Sequence, residues 1–159
     1  MYRTTEDFIN DWSQSAASTL EVIRAISDDK ADVGIVEGHN SLGWLAWHVT
    51  TAPELFGNML AGLGLEVKLD PHAQPATVAE IAAAYEKVMA EVTTKASALT
   101  DADLLAEVKG FYGPASRGAI LRKMIDHQTH HVGQMTVLLR QAGLVVPPVM
   151  GPTKEMTQK

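Results

Sequence analysis

Three histidines fall within five positions of "IDHQTHHVGQM", residues 125–135, and they are half of the six in the chain. Imidazole can serve as a neutral metal ligand or as an acid and base near neutral pH, so the orientation of each ring decides what the cluster can do. The segment carries helix formers and no proline, and positions on a helix advance by about 100°. With His127 at zero, the apolar Ile120, Met124, Met135, Leu138, Leu139 and Ala142 fall between about 20° and about 120°. His131 comes at about 40°, inside that stripe, with His127 on its edge and His130 off it at about −60°. An inward imidazole brings two polar nitrogens that need partners. His127 and His131, one turn apart, share a face and can reach one ion. The HxxxH spacing alone does not specify a metal, because solvated and merely buried histidines share it. His130 reads as a bystander or a rim residue.

A third ligand must come from another helix. His48, in "WLAWHVTTAPELF", stands near the apolar face made by Leu45, Val49, Ala52 and Met59. Taken singly it also fits a core histidine bonded to a backbone carbonyl or a tyrosine hydroxyl. Beside an inward pair it completes a set of three neutral imidazoles, which leaves positions on an ion open to water or substrate, the catalytic form of such a site. Rival arrangements lack their residues: there is no HExxH, no Glu-x-x-His, no GxSxG and no glycine-rich phosphate loop. "GLGLE", residues 62–66, follows a helix and reads as a chain reversal. His39 near Glu37 and His72 near Asp70 read as solvated loop residues. Trp44 and Trp47 either line a pocket mouth or pack between helices. Tyr112, in "GFYGPAS", is a loop tyrosine that could reach a substrate, and Gln134 could support a ligand or touch a neighbouring helix.

The elements that must position these residues are four helices, at about 5–27, 41–63, 77–98 and 116–142. Thr4 with Asp7, Asn40 or Ser41, and "TVAE" (Thr77–Glu80) supply N-terminal caps, and Gly143 supplies the last C-terminus. Helix one carries the stripe Phe8, Trp12, Ala16, Leu20 and Ile23, and helix two the stripe Leu42, Leu45, Val49, Ala52, Phe56, Met59, Leu60 and Leu63. Pro53 predicts a kink or a loosened turn inside helix two. "TDADLL", residues 100–105, predicts a short extra turn, and the tail from Val145 a surface segment unable to continue a helix. Two connections of about 13 residues, at 28–40 and 64–76, are long enough for either to run back along the bundle and leave consecutive helices parallel. The expectation is an all-α four-helix bundle, one domain over residues 1–159.

Composition narrows the partners. A net charge of −6 without a basic patch argues against nucleic acid and anionic membrane surfaces. No apolar run approaches the roughly 20 residues of a membrane span. The N-terminus turns acidic within six residues, unlike a signal peptide. Zero cysteines exclude disulfides, thiolate zinc sites and a protein thiol nucleophile, and they suit a cytoplasmic location.

"LGWLAWHV" on helix two, "DHQTHHVGQM" on the last helix and "LLRQAGLVVPPVMGP" after it together resemble the DinB/YfiT-like metalloenzymes, in helix order and motif placement along the whole chain. That resemblance implies an up-down-down-up four-helix bundle and one divalent ion (Zn, Ni, Fe or Mn) held by His48, His127 and His131. It also implies a homodimer, which exposed tryptophans would suit. Family members often carry arginine after the last histidine, where this chain has Val132, so no anion-binding role is carried over to that position. The activity implied is transfer of a low-molecular-weight thiol to a small electrophilic substrate. The alternatives are a metal-dependent hydrolase and a metal-binding structural dimer without turnover.

Overall fold

The computed structural model describes Tyr2 and residues 4–157; Met1, Arg3, Gln158 and Lys159, which the expected domain of 1–159 includes, lie outside the described residues. Helix α1 spans Thr5–Arg24. Thr4 Oγ1 accepts the Asp7 N–H at 3.1 Å, and the Asp7 carboxylate accepts the Thr4 N–H at 3.2 Å, a closed capping box. All five residues of the expected stripe are buried. The helix stops three residues short of the expected Ser27 because the chain turns there toward the third long helix. Asp28 then accepts the Val78 N–H at 2.7 Å.

Helix α2 covers Leu42–Pro53, capped by Ser41, and runs on as a π-helical segment, Glu54–Leu60. Proline has no N–H to return to the preceding turn, and the expected loosening occurs just beyond it as a wider π turn. The Ala61 N–H reaches back five residues to the Phe56 carbonyl at 2.9 Å. The wider turn rotates the last residues of the helix about its axis. Phe56 and Leu60 remain buried, but Met59, expected on the apolar stripe, is 64% exposed.

Helix α3 spans Val78–Ser97 behind the Thr77–Glu80 capping box, α4 is the short Asp101–Leu105 turn, and α5 runs Arg117–Gln141. Gly143, at φ +75°, ends α5 in the left-handed conformation. Thr5 meets Asp101 beyond the end of α3, Trp12 Nε1 donates to the Met89 carbonyl, and Asp28 meets Val78, so α1 and α3 are antiparallel. Arg117 Nε donates to the Ala61 carbonyl at 2.7 Å while His48 meets the middle of α5, so α2 and α5 are antiparallel. Ser15 meets Gln128 and Asp11 meets Arg122, so α1 and α5 are parallel. The four long helices therefore stand up, down, down and up.

The crossover that this order requires is residues 61–77, connecting the parallel α2 and α3. "GLGLE" is the chain reversal expected of it and leads into this crossover. Gly62 and Gly64 take positive φ and turn the chain. An extended strap comes next, in which Leu63 and Leu65 are buried and Val67 and Leu69 pack against the core. Its alternation of inward and outward side chains is that of a strand, but its backbone bonds side chains instead of a neighbouring strand. Glu91 accepts the N–H groups of Glu66 and Val67, and Asn58 Oδ1 accepts that of Leu65 at 3.0 Å. Trp47 Nε1 donates to the Asp70 carbonyl at 3.1 Å.

Two small features add to the expected bundle. Strands β1, Glu107–Lys109, and β2, Pro114–Ser116, form an antiparallel hairpin just before α5. Three residues per strand are too few for a readable period. The tail lies along the surface, as expected, but it buries Val146 and adds one helical turn, α6, Lys154–Thr157, held by Glu155 against Arg140. Among the described residues no helix is long and apolar enough to cross a membrane.

Candidate metal centre

The antiparallel crossing of α2 and α5 brings His48 against His127 and His131. His127 Nε2 lies 3.2 Å from His48 Nε2 and 3.2 Å from His131 Nε2. One ligand atom from each residue lies within 4.8 Å of the other two. Two nitrogens bound about 2.0–2.1 Å from one tetrahedral ion would stand about 3.3 Å apart, so both contacts of His127 match a shared ion. Hydrogen bonding alone satisfies them poorly. His127 Nε2 offers either one proton or one lone pair, yet it faces two neighbouring nitrogens, while His127 Nδ1 is buried without a partner.

The electrostatics favour the ligand-competent, neutral form of each ring. Burial, followed by the charges of His131, His48 and His130, pushes His127 down to about 4. His48 is lowered by burial and then by His131. His131 is lowered chiefly by burial; its bond to Gln134 opposes the shift and His130 adds to it. Gln134 does more than touch a helix. Its Oε1 lies 2.7 Å from His131 Nδ1. A carbonyl oxygen only accepts, so Nδ1 carries the proton and Nε2 turns its lone pair to the cluster. Gln134 Nε2 reaches His130 Nε2 at 3.3 Å. His130 is exposed, as its place on the wheel predicts, and it touches the centre only through Gln134 and a ring contact with His131.

Aromatic side chains fix the rings from outside. Trp44, 40% exposed, stacks on His48 with centroids 4.7 Å apart and planes 12° from parallel. Trp47, by contrast, packs inside, and Trp12 is fully buried, so only Trp44 is left for an outward tryptophan surface. Phe56 packs against His127 at 4.9 Å and against Phe111 of the hairpin tip at 5.2 Å. Phe56 was expected only as part of the apolar stripe of helix two; its place eight residues, about two turns, after His48 was the signal that could have put it at the site. Phe111 was not, because the hairpin that delivers it has no sequence period. Tyr112 points fully into solvent, and His39 and His72 are exposed loop residues apart from the cluster. Val132 is buried and lines a cavity on the α1 side of α5, so that position brings no cation to the histidines.

Behind the site α5 carries Gln128, a buried polar residue that motif reasoning passed over. Tyr85 Oη donates to Gln128 Oε1 at 2.6 Å, and Gln128 Nε2 donates to Ser15 Oγ at 2.7 Å. This chain of bonds ties α3, α5 and α1 together one residue after His127 on α5.

Three imidazoles converging between the second and last long helices of an up-down-down-up bundle define the class. Residues 1–159 match the DinB family, and the chain belongs to that family. It is 31% identical to the uncharacterised protein YrdA of Bacillus subtilis (strain 168), over 98% of this chain and 93% of YrdA. A crystal structure of a DinB-like protein from Bacillus cereus ATCC 10987 superposes with a TM-score of 0.87 at 37% identity, covering 94% of this chain and 99% of that one. The DinB-like protein YjoA of Bacillus subtilis shares the fold at a TM-score of 0.73 and 18% identity, over 92% and 99% of the two chains.

Proposed function

We propose that His48, His127 and His131 hold one divalent metal ion, and that the protein is a metal-dependent transferase delivering a low-molecular-weight thiol to a small electrophilic substrate. The observation that carries this reading is the convergence of three imidazoles from two helices, with His127 Nε2 3.2 Å from the Nε2 atoms of both His48 and His131 and one ligand atom of each residue within 4.8 Å of the others. An ion held there would supply a Lewis-acidic position at which a small-molecule thiol loses its proton. Three protein ligands leave room on the ion for a further group, which distinguishes the set from a closed structural site. The chain's own residues hold and orient: Gln134 fixes the His131 tautomer, while Trp44 and Phe56 clamp the rings of His48 and His127. The sulfur must arrive with the cosubstrate, because the chain has no cysteine.

The test is turnover by the protein loaded with Zn, Ni, Mn or Fe, using small thiols with electrophilic acceptors and, in parallel, ester and amide substrates. Thiol-dependent consumption of the acceptor, lost in His131→Ala, supports the transferase. Water-dependent cleavage alone would make the protein a hydrolase. Metal binding with neither activity above free metal would leave a non-catalytic metal-binding bundle.

A further inference from the structure

We infer that the groove between the loop of residues 34–41 and the C-terminal half of α5 binds the body of the substrate, and that this body is apolar and uncharged. This rests on the proposal of a metal centre at the three histidines. The groove has a volume of about 320 Å³ and is lined by Ile35, His39, Asn40, Leu45, Gln134, Val137 and Leu138. That volume falls at the small end of sites for small molecules.

Its position follows from the helix geometry. Leu45 precedes His48 by about one turn on α2, and Gln134 and Leu138 follow His131 by about one and two turns on α5. Because the two helices are antiparallel, these residues meet on the same side of the histidines. Gln134 is common to both places: it lines the groove and bonds His131 Nδ1. A molecule lying in the groove therefore has one end beside Gln134, the residue that bonds the His131 ring.

The lining sets the ligand chemistry. Among the described residues no aspartate, glutamate, lysine or arginine lines the groove, so a charged body would lose water without gaining a partner. Ile35, Leu45, Val137 and Leu138 supply apolar walls, and Ile35 and Val137 are half-exposed, which leaves contact surface for a ligand to cover. His39 and Asn40 place polar groups in the loop, where they can receive one hydrogen-bonding group on the ligand. The ligand class is a neutral molecule with an aryl or branched alkyl body, its reactive end directed at the centre.

Zinc-loaded protein titrated with imidazole, 4-phenylimidazole and 4-(4-carboxyphenyl)imidazole tests this, because the shared imidazole head isolates the contribution of the body. Wild type is expected to bind the phenyl compound about tenfold tighter than imidazole and the carboxylate with little of that gain. Val137→Trp, which fills the groove, and Ile35→Asp, which charges it, should each remove the gain while leaving imidazole affinity and zinc content unchanged. Both replaced side chains are about half exposed, so neither change empties the core. Stoichiometric zinc with no phenyl gain in wild type, or an undiminished gain in both variants, would overturn the groove assignment alone. Failure to bind zinc would overturn the metal-centre reading, and this inference with it.

Discussion

At the residue scale the centre depends on which nitrogen of each histidine is free. Gln134 fixes that for His131, and removing such an outer partner commonly weakens metal affinity by about 10–100-fold. Gln134→Ala is therefore expected to lower affinity by that factor in chelator competition, with the circular dichroism spectrum unchanged. His131→Ala should abolish binding, and His130→Ala should retain it within a few-fold. Tyr85 gives a separate prediction. Burial raises its pKa above the ordinary 10.0 and outweighs the opposing bonds from Thr19 and Gln128. In the unfolded chain the phenol ionises near 10 while in the folded chain it stays protonated. Its contribution is thus complete below about pH 10 and is lost as pH rises above that. Tyr85→Phe should cost about 1–2 kcal/mol at neutral pH by leaving Gln128 without its donor. In urea unfolding the variant should also show a shallower loss of stability between about pH 9 and about pH 11.

At the element scale most of the bundle was legible because its signals are local. Thr4, Ser41, Thr77 and Ser116 each cap the helix expected to follow them, and the α1 stripe is buried as its spacing predicts. The same wheel that turned His131 inward turned His130 out. The features that escaped were set by tertiary bonds. The strap at 61–77 alternates like a strand but is held by Asn58 nearby and by Trp47 and Glu91, each more than 20 residues from the group it bonds. The π turn after Pro53 moved Met59 outward, a change of register that no 3.6-residue wheel contains. Gln128 sat inside the apolar stripe, about 100° from His127, and a polar residue there signalled a buried network. The strap carries its own prediction. Glu91→Ala removes the acceptor of two strap N–H groups, so it should destabilise the protein by about 1–2 kcal/mol. Amide exchange at Glu66 and Val67 should quicken, while exchange in α5 keeps its pattern.

At the scale of the whole molecule, the order up-down-down-up makes the site possible. It sets α2 antiparallel to α5, so one histidine from an early helix meets two from the last. The wheel selected His127 and His131 and put His48 near an apolar face, the family resemblance made the three the candidate ligands, and the structure brings them together. The hairpin that seats Phe111 and the groove beyond Gln134 depend on chain packing and had no pattern to read. Exposed Leu55, Met59, Phe111 and Tyr112 leave apolar surface around this end of the bundle, and we expect a homodimer, with light scattering giving twice the chain's mass. Because a ligand that binds only the folded state stabilises it, a metal at about 100 times its Kd should add about 2.7 kcal/mol to unfolding, and chelation should remove that increment. The most direct measurement is the metal content of protein purified without an affinity tag and supplied with Zn, Ni, Mn or Fe, for wild type and for His48→Ala, His127→Ala and His131→Ala. Wild type should carry about one ion per chain, as a three-histidine mononuclear site requires, and each folded variant should lose it. No bound ion in wild type, or full occupancy in any of the three variants, would contradict a metal centre at these histidines.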